Sequence, residues 1–261
     1  MKRRLILLNI ALLSLSMAAG QQYNRPPNML EYDEKKWHFG FTLGPEFQKF
    51  RVTNNSANLL DAPNITLPTP SYDDIENAYY YSEMTNMGIG FHVGVIVSLR
   101  LGKYFNLRAI PTLSLGQRTI NSQMYIEEKS GEDFIVYKND DGFEKSIVKS
   151  TQLSLPILMK YKAVRINNIR PYIVAGPNFK CDLIVDYEEP ITMKRFDTFL
   201  EFGFGSDFYM ESFRLGVELR IGIGFMDLLQ HNRPENDPSP YITSSISKIN
   251  ARTFTVAFNF E

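Results

Sequence analysis

The chain has 261 residues, enough for one large domain or two small ones. Its 28 Lys and Arg against 29 Asp and Glu leave a formal net charge of -1, which excludes the basic footprint of a nucleic-acid binder and the charge block of an acidic tail. A mean hydropathy of -0.22 excludes a helical membrane protein, and a single cysteine, Cys181, excludes a disulfide framework and a thiolate-rich zinc site.

The chain begins with Lys2, Arg3 and Arg4, a short apolar run from Leu5 to Leu15, and the small residues Ala18, Ala19 and Gly20. This order predicts a secretory signal peptide over 1–20, cleaved between Gly20 and Gln21. The apolar run is too short to span a bilayer comfortably, and no cysteine follows it to serve as a lipid anchor. Residues 21–36 then form a periplasmic N-terminal segment.

From Trp37 onward the chain alternates with a period of two, the signature of strands. Aromatic residues make up 13% of the chain, which favours the same reading. Trp37, Phe39, Phe41 and Leu43 alternate with His38, Gly40, Thr42 and Gly44. Residues 88–101 put Ile89, Phe91, Val93, Val95, Val97 and Leu99 on one face, with His92, Gly94 and Arg100 on the other. Further strands are predicted over 105–116, 152–162, 172–183, 196–208, 213–225 and 253–260. The connections 102–104, 164–168 and 211–212 are short, whereas 54–86, 121–149, 185–194 and 227–247 are long and polar. Within 121–149, Phe134, Val136 and Phe143 leave room for an extra hairpin above the membrane. Asn139-Asp140-Asp141-Gly142 reads as a tight turn, and Asn64-Ile65-Thr66 matches a glycosylation pattern without weight here.

About eight strands, most long enough to cross a bilayer when tilted, predict a transmembrane antiparallel up-and-down β-barrel over 37–261. Closure is required because hydrocarbon offers no partner to an open sheet edge. Short turns face the periplasm and long loops face outward, which places the mature chain in the outer membrane of a Gram-negative cell, in contact with its lipid. Trp37, Phe105, Tyr161, Phe208, Phe213 and Phe260 fall on the apolar face at the periplasmic strand ends, the expected height of an aromatic girdle. Pro111, Pro156 and Pro177 interrupt predicted strands and require bulges or strand ends nearby.

The polar face would line the lumen. It carries Arg100, Arg108, Arg118, Lys160, Lys162, Lys180, Arg214 and Arg220 against Asp182, Asp197, Glu201, Asp207 and Glu218. An eight-stranded barrel has room only for its own side chains, so these charges predict a neutralising plug with Arg100, Arg108, Lys160, Glu201, Glu218 and Arg220 in its network. A porin is not expected. A nucleophilic site would need a serine beside a histidine and an orienting carboxylate. His92, Ser114 and Glu201 are candidates, but a lumenal histidine is more simply a member of the polar network, so the reading is no enzyme. With only His38, His92 and His231 available, no metal or cofactor is expected either.

Four segments carry a resemblance. Glu31-Tyr32-Asp33-Glu34-Lys35-Lys36-Trp37-His38-Phe39-Gly40-Phe41 resembles the entry to the first strand of PorT-family outer-membrane proteins. Leu99-Arg100-Leu101-Gly102-Lys103-Tyr104-Phe105-Asn106-Leu107-Arg108, with Gly116-Gln117-Arg118, is similar to that family's second hairpin. Tyr161-Lys162 followed by Arg165-Ile166-Asn167-Asn168-Ile169-Arg170-Pro171-Tyr172 is similar as well, and 254–261 resembles the family's C-terminal strand. The order is preserved, and 54–86 has no counterpart. The resemblance implies an accessory or assembly role in the type IX secretion system of Bacteroidota, in export of proteins with a C-terminal sorting domain and in gliding of motile relatives. It implies other secretion-system components as partners and carries over no catalytic residue. A surface adhesin or structural barrel, a lipid-modifying enzyme and a soluble lipocalin-like barrel are the competing readings.

Overall fold

The computed structural model describes residues 27–55, 75–84, 86–130, 133–183, 191–231 and 240–261. The predicted signal peptide, its cleavage point and Asn64-Ile65-Thr66 lie outside the described residues. A short 3-10 helix, Tyr32–Glu34, precedes β1 (Trp37–Asn54), β2 (Ile75–Glu83), β3 (Gly88–Arg100), β4 (Phe105–Ala109) and β5 (Thr112–Ser130). Then follow β6 (Asp133–Lys162), β7 (Ile169–Asp182), β8 (Phe196–Tyr209), β9 (Arg214–Gly224), α1 (Pro240–Ser245) and β10 (Ile246–Phe260).

The sheet is antiparallel, and it closes on itself. β1 pairs with β10 on one side and with β3 on the other, and the order β10-β9-β8-β7-β6-β4-β3 completes the ring. β4 and β5 are two halves of one stave, because both pair with β3 and both pair with β6. The ring therefore has eight staves, with β2 pairing to the upper part of β5 above the level of β3.

The prolines sit where the ladder tolerates them. Pro111 occupies the break between β4 and β5, where it has no N–H to lose and its carbonyl accepts from Val95 N–H at 3.0 Å. Pro156 and Pro177 flank a gap in the β6–β7 register, between Pro156↔Asn178 and Met159↔Ala175, and the Pro156 carbonyl accepts from Ile110 N–H instead.

Residues with outward parity form an apolar wall. Phe39, Ile89, Val95, Ile173, Phe204 and Ile221 are each at least half exposed, as hydrocarbon contact requires. Among the described residues no helix is long and apolar enough to cross a membrane, so crossing is by strands.

Several strands run further than expected. β1 continues ten positions past Gly44, β10 begins at Ile246 instead of Thr253, and β5 and β6 pair up to Ser130↔Asp133. The extra hairpin in 121–149 is thus formed, with Phe134, Val136 and Phe143 in its ladder. The tight turn expected at Asn139–Gly142 is instead a bulge within β6, where the register passes from Gln123↔Phe143 to Met124↔Asn139. The region 54–86, expected to be loop, contributes β2. Its three consecutive tyrosines hide the alternation that puts Ala78, Tyr80 and Ser82 inward.

Candidate functional site

The interior is stacked in three layers. At the periplasmic end the N-terminal segment folds across the mouth. Asp33 accepts from Tyr209 Oη at 2.9 Å and Arg170 Nη1 at 3.0 Å, with Lys162 Nζ at 3.6 Å. Tyr32 Oη donates to Glu261 Oε2 at 3.1 Å, and its carbonyl lies 2.8 Å from His38 Nε2. Asn28 donates through its N–H to Asn168 Oδ1 at 2.8 Å and through Nδ2 to the Tyr209 carbonyl at 3.1 Å. These contacts make a floor.

Asp33 lies below the strands, and two effects oppose each other on its carboxyl. Burial, the largest single effect, raises its pKa, but Arg170, Lys162, the Tyr209 hydrogen bond and Arg214 together outweigh it and hold the group below the usual carboxylate value.

Above the floor lies the charged layer. Arg108 Nη1 meets Glu218 Oε2 at 2.7 Å, with both side chains fully buried. Arg220 bridges Glu218 at 3.3 Å and Glu201 at 3.2 Å, and Glu201 also accepts from Asn178 Nδ2 at 2.6 Å. Lys160 donates to Asp207 at 2.7 Å and packs on the Tyr172 ring, 3.6 Å from its centroid. Arg214 joins Asp207 to Glu261. Higher up, Lys180 pairs with Glu46, which also accepts from Ser114 Oγ at 3.1 Å and Gln48 Nε2 at 2.6 Å. Asp182 accepts from Ser150 at 2.6 Å, Gln152 at 3.0 Å and Arg118 at 3.5 Å.

Among the described residues the interior cations Arg108, Arg118, Lys160, Lys162, Arg170, Lys180, Arg214 and Arg220 are equalled in number by carboxylates. These are Asp33, Glu46, Asp182, Asp197, Glu201, Asp207, Glu218 and Glu261. Neutrality of this kind is what burial demands, since an uncompensated charge would cost several kcal/mol. The space left among Glu46, Gln48, Ser114 and Arg118 is about 10 Å³, room for one water at most.

The third layer is apolar and caps the outer end. Phe50, Ile120, Met124, Ile126, Leu229, Ile242 and Ile249 pack together there, joined by Met193 through its bridge to Leu229. Asp227 anchors this cap by accepting from Leu229 N–H and Ile249 N–H, each at 3.1 Å. Phe50 lies over the Arg118 guanidinium at 4.7 Å and Phe199 over Lys180 at 4.9 Å, so the cap and the charged layer meet through cation–π contacts.

Of the charges expected in the network, Arg108, Lys160, Glu201, Glu218 and Arg220 lie together in the lumen. Arg100 does not join them. It sits at the periplasmic rim, half-buried, donating to the Glu34 carbonyl at 2.9 Å and the Gly102 carbonyl at 3.4 Å. Its strand position has inward parity, but it lies at the very end of β3, below the filled interior. Glu46, Glu261, Arg170 and Asp33 were missed. Strand parity would have found the first two, because Glu46 continues the inward series of Thr42 and Glu261 that of Asn259. Nothing local marks Asp33, which is placed by tertiary contacts.

The six aromatics expected in a girdle all lie on the outer face of their strands. Phe105 and Tyr161 pair across β4 and β6 with centroids 5.1 Å apart, and Phe260 stacks on Phe41 at 4.9 Å and lies 6.2 Å from Phe213. Trp37 is half exposed at the start of β1, and Phe208 pairs with Ile169 near the end of β8.

The catalytic candidates do not form a triad. His92 stands opposite Ser114 in the β3–β5 register, but Ser114 donates to Glu46 and neither His92 ring nitrogen has a hydrogen-bond partner. Glu201 is committed to Arg220 and Asn178.

A closed antiparallel ring with an apolar exterior and a filled polar interior is an outer-membrane β-barrel. The profile of the Outer membrane protein beta-barrel domain matches residues 20–230, and the chain belongs to that family. No curated protein matches its sequence. Among solved structures the chain is similar to the outer membrane protein OprG from Pseudomonas aeruginosa, at 12% identity over 86% of this chain and 95% of that one, TM-score 0.39. It is also similar to the outer membrane protease OmpT from Escherichia coli, at 12% identity over 87% and 96% of the two chains, TM-score 0.37. No activity passes to this chain at that level of likeness.

Proposed function

We propose that this barrel is an accessory or assembly component of the type IX secretion system, needed for export of proteins with a C-terminal sorting domain. The observation that carries this reading is the ordered set of PorT-like segments. Those segments converge on one end of the barrel. Residues 31–41 make the floor and the start of β1, and their Asp33 meets Lys162 and Arg170 of the β6–β7 segment. Arg100 of the β3–β4 segment reaches the Glu34 carbonyl, Arg170 donates to the Lys103 carbonyl, and Glu261 meets Tyr32. Such convergence supports the periplasmic face as the working surface, where other secretion components would dock. The filled lumen supports an accessory part over a conduit, because no folded cargo passes through it.

The test is a clean deletion in the native host, with sorting-domain cargo quantified in periplasm, surface and medium. Cargo should accumulate in the periplasm and return to the medium when the intact gene is restored. Normal export after deletion would overturn the proposal and turn attention to adhesion assays and lipopolysaccharide mass spectra.

A further inference from the structure

Outside the barrel wall, above the apolar belt, lies a cleft of about 550 Å³ whose polar lining is Asn86, Gln117, Thr119, Asn121 and Lys145. Its height follows from β5. Leu113 and Leu115 are the outward residues at lipid level, and Gln117, Thr119 and Asn121 are the next outward residues along the same strand. Met87 and Ile89 form the lower edge, 48% and 69% exposed, so the cleft opens onto the top of the lipid-facing wall.

The strip continues upward as an aromatic platform. Asn121 is opposite Glu83 in the β2–β5 ladder, and two positions further Tyr81 is opposite Gln123. Tyr79 stacks on Tyr125 at 5.8 Å, and Tyr81 meets Tyr125 edge-on at 6.3 Å. Tyr81 is 45% exposed. These rings stand roughly 20 Å above Leu115, given the rise per residue and the tilt of the strands, which is too high for an interfacial girdle. Asn77 and Glu127 hydrogen-bond to each other at 3.3 Å beside them.

Amides and a hydroxyl in a cleft, with tyrosine faces above, suit a saccharide. Amide groups offer a donor and an acceptor to paired sugar hydroxyls, and ring faces carry a negative quadrupole that attracts the C–H face of a pyranose. Lys145 adds a cation for a phosphate on the sugar. We infer that this strip binds the sugar headgroup of an outer-leaflet glycolipid, whose acyl chains lie along Met87 and Ile89 while its saccharide fills the cleft and reaches the tyrosines. Continuity with the lipid wall selects a lipid-anchored glycan over a free one. The site stands apart from the secretion reading, on the opposite end of the barrel.

The test uses the full barrel in phospholipid nanodiscs, titrated with purified rough lipopolysaccharide. Competitors are its delipidated oligosaccharide and phosphatidylethanolamine. The parent should bind lipopolysaccharide with partial competition by the oligosaccharide. The double variant Tyr81→Ala/Tyr125→Ala should bind at least about tenfold more weakly while keeping the gel shift of a folded barrel. Asn86→Ala/Lys145→Gln, which changes exposed side chains only, should weaken binding independently of the tyrosines. Unchanged binding in both variants overturns the inference. So does competition by phosphatidylethanolamine but not by oligosaccharide, which would assign the affinity to the apolar wall. Equal affinity for free oligosaccharide and intact glycolipid overturns the lipid-anchored source.

Discussion

Asp33 illustrates how one side chain can hold a segment that has few apolar contacts of its own. Its carboxylate gathers Tyr209, Arg170 and Lys162 from three strands' ends, and through it the turn 28–36 is fastened under the barrel. When docked, its pKa lies below the ordinary carboxylate value; when released, it returns to that value. The released form therefore binds a proton more readily, and docking is favoured wherever the carboxyl is ionised in both states. Its contribution is complete above the ordinary value and is lost as pH falls through the docked value. Hydrogen exchange of 28–36 should thus show the same protection at pH 7 and pH 5, with loss only below about pH 4. Asp33→Asn should lower protection about tenfold at pH 5 and above, corresponding to about 1–2 kcal/mol for a charge-assisted site that is partly open to water, and the difference from the parent should vanish at the acid end. Equal protection in variant and parent would show that the floor is held by other contacts.

At the scale of the element, the strands change sides without breaking. Across β1 and β10, Phe47 faces Phe254 with centroids 6.0 Å apart, and one step higher Lys49 faces Arg252. On the inner face the change is the reverse, from Glu46 to Phe50 in β1, from Arg118 to Ile120 in β5, and from Thr253 to Ala251 in β10. Below this level the outside is hydrocarbon and the inside is charged; above it the outside is water and the inside is an apolar core. Period-two alternation survives the swap, but its polarity inverts, and this is why the predicted strands at 37–44 and 253–260 stop near the lipid boundary. Two arginine substitutions at outward positions would separate the zones. Val95→Arg, amid the apolar wall, should cost about 2–4 kcal/mol in urea unfolding from vesicles, whereas Thr119→Arg, above the boundary, should cost about 0–1 kcal/mol. Similar costs at both positions would contradict the assigned boundary.

The whole molecule is a barrel closed three times over, by the floor at Asn28–Lys36, by the paired charges and by the apolar cap. Purified protein in planar bilayers should give no stepwise conductance, and removal of residues 28–36 should not open a wide channel, because the charged layer remains. Porin-sized steps from either form would contradict the packing of the lumen. The ring, its staves and the side taken by residues at lipid level could be read from the sequence, since parity along a strand is a local property and hydrocarbon permits only a closed sheet. The partners in the charge network could not, because Arg108 and Glu218 are 110 positions apart and meet only through the register of the closed ring. The cap, the added strand β2 and the floor were likewise decided by tertiary structure. Each depends on burying groups against distant segments, and no local pattern in 28–36 or 75–83 records which surface will cover it.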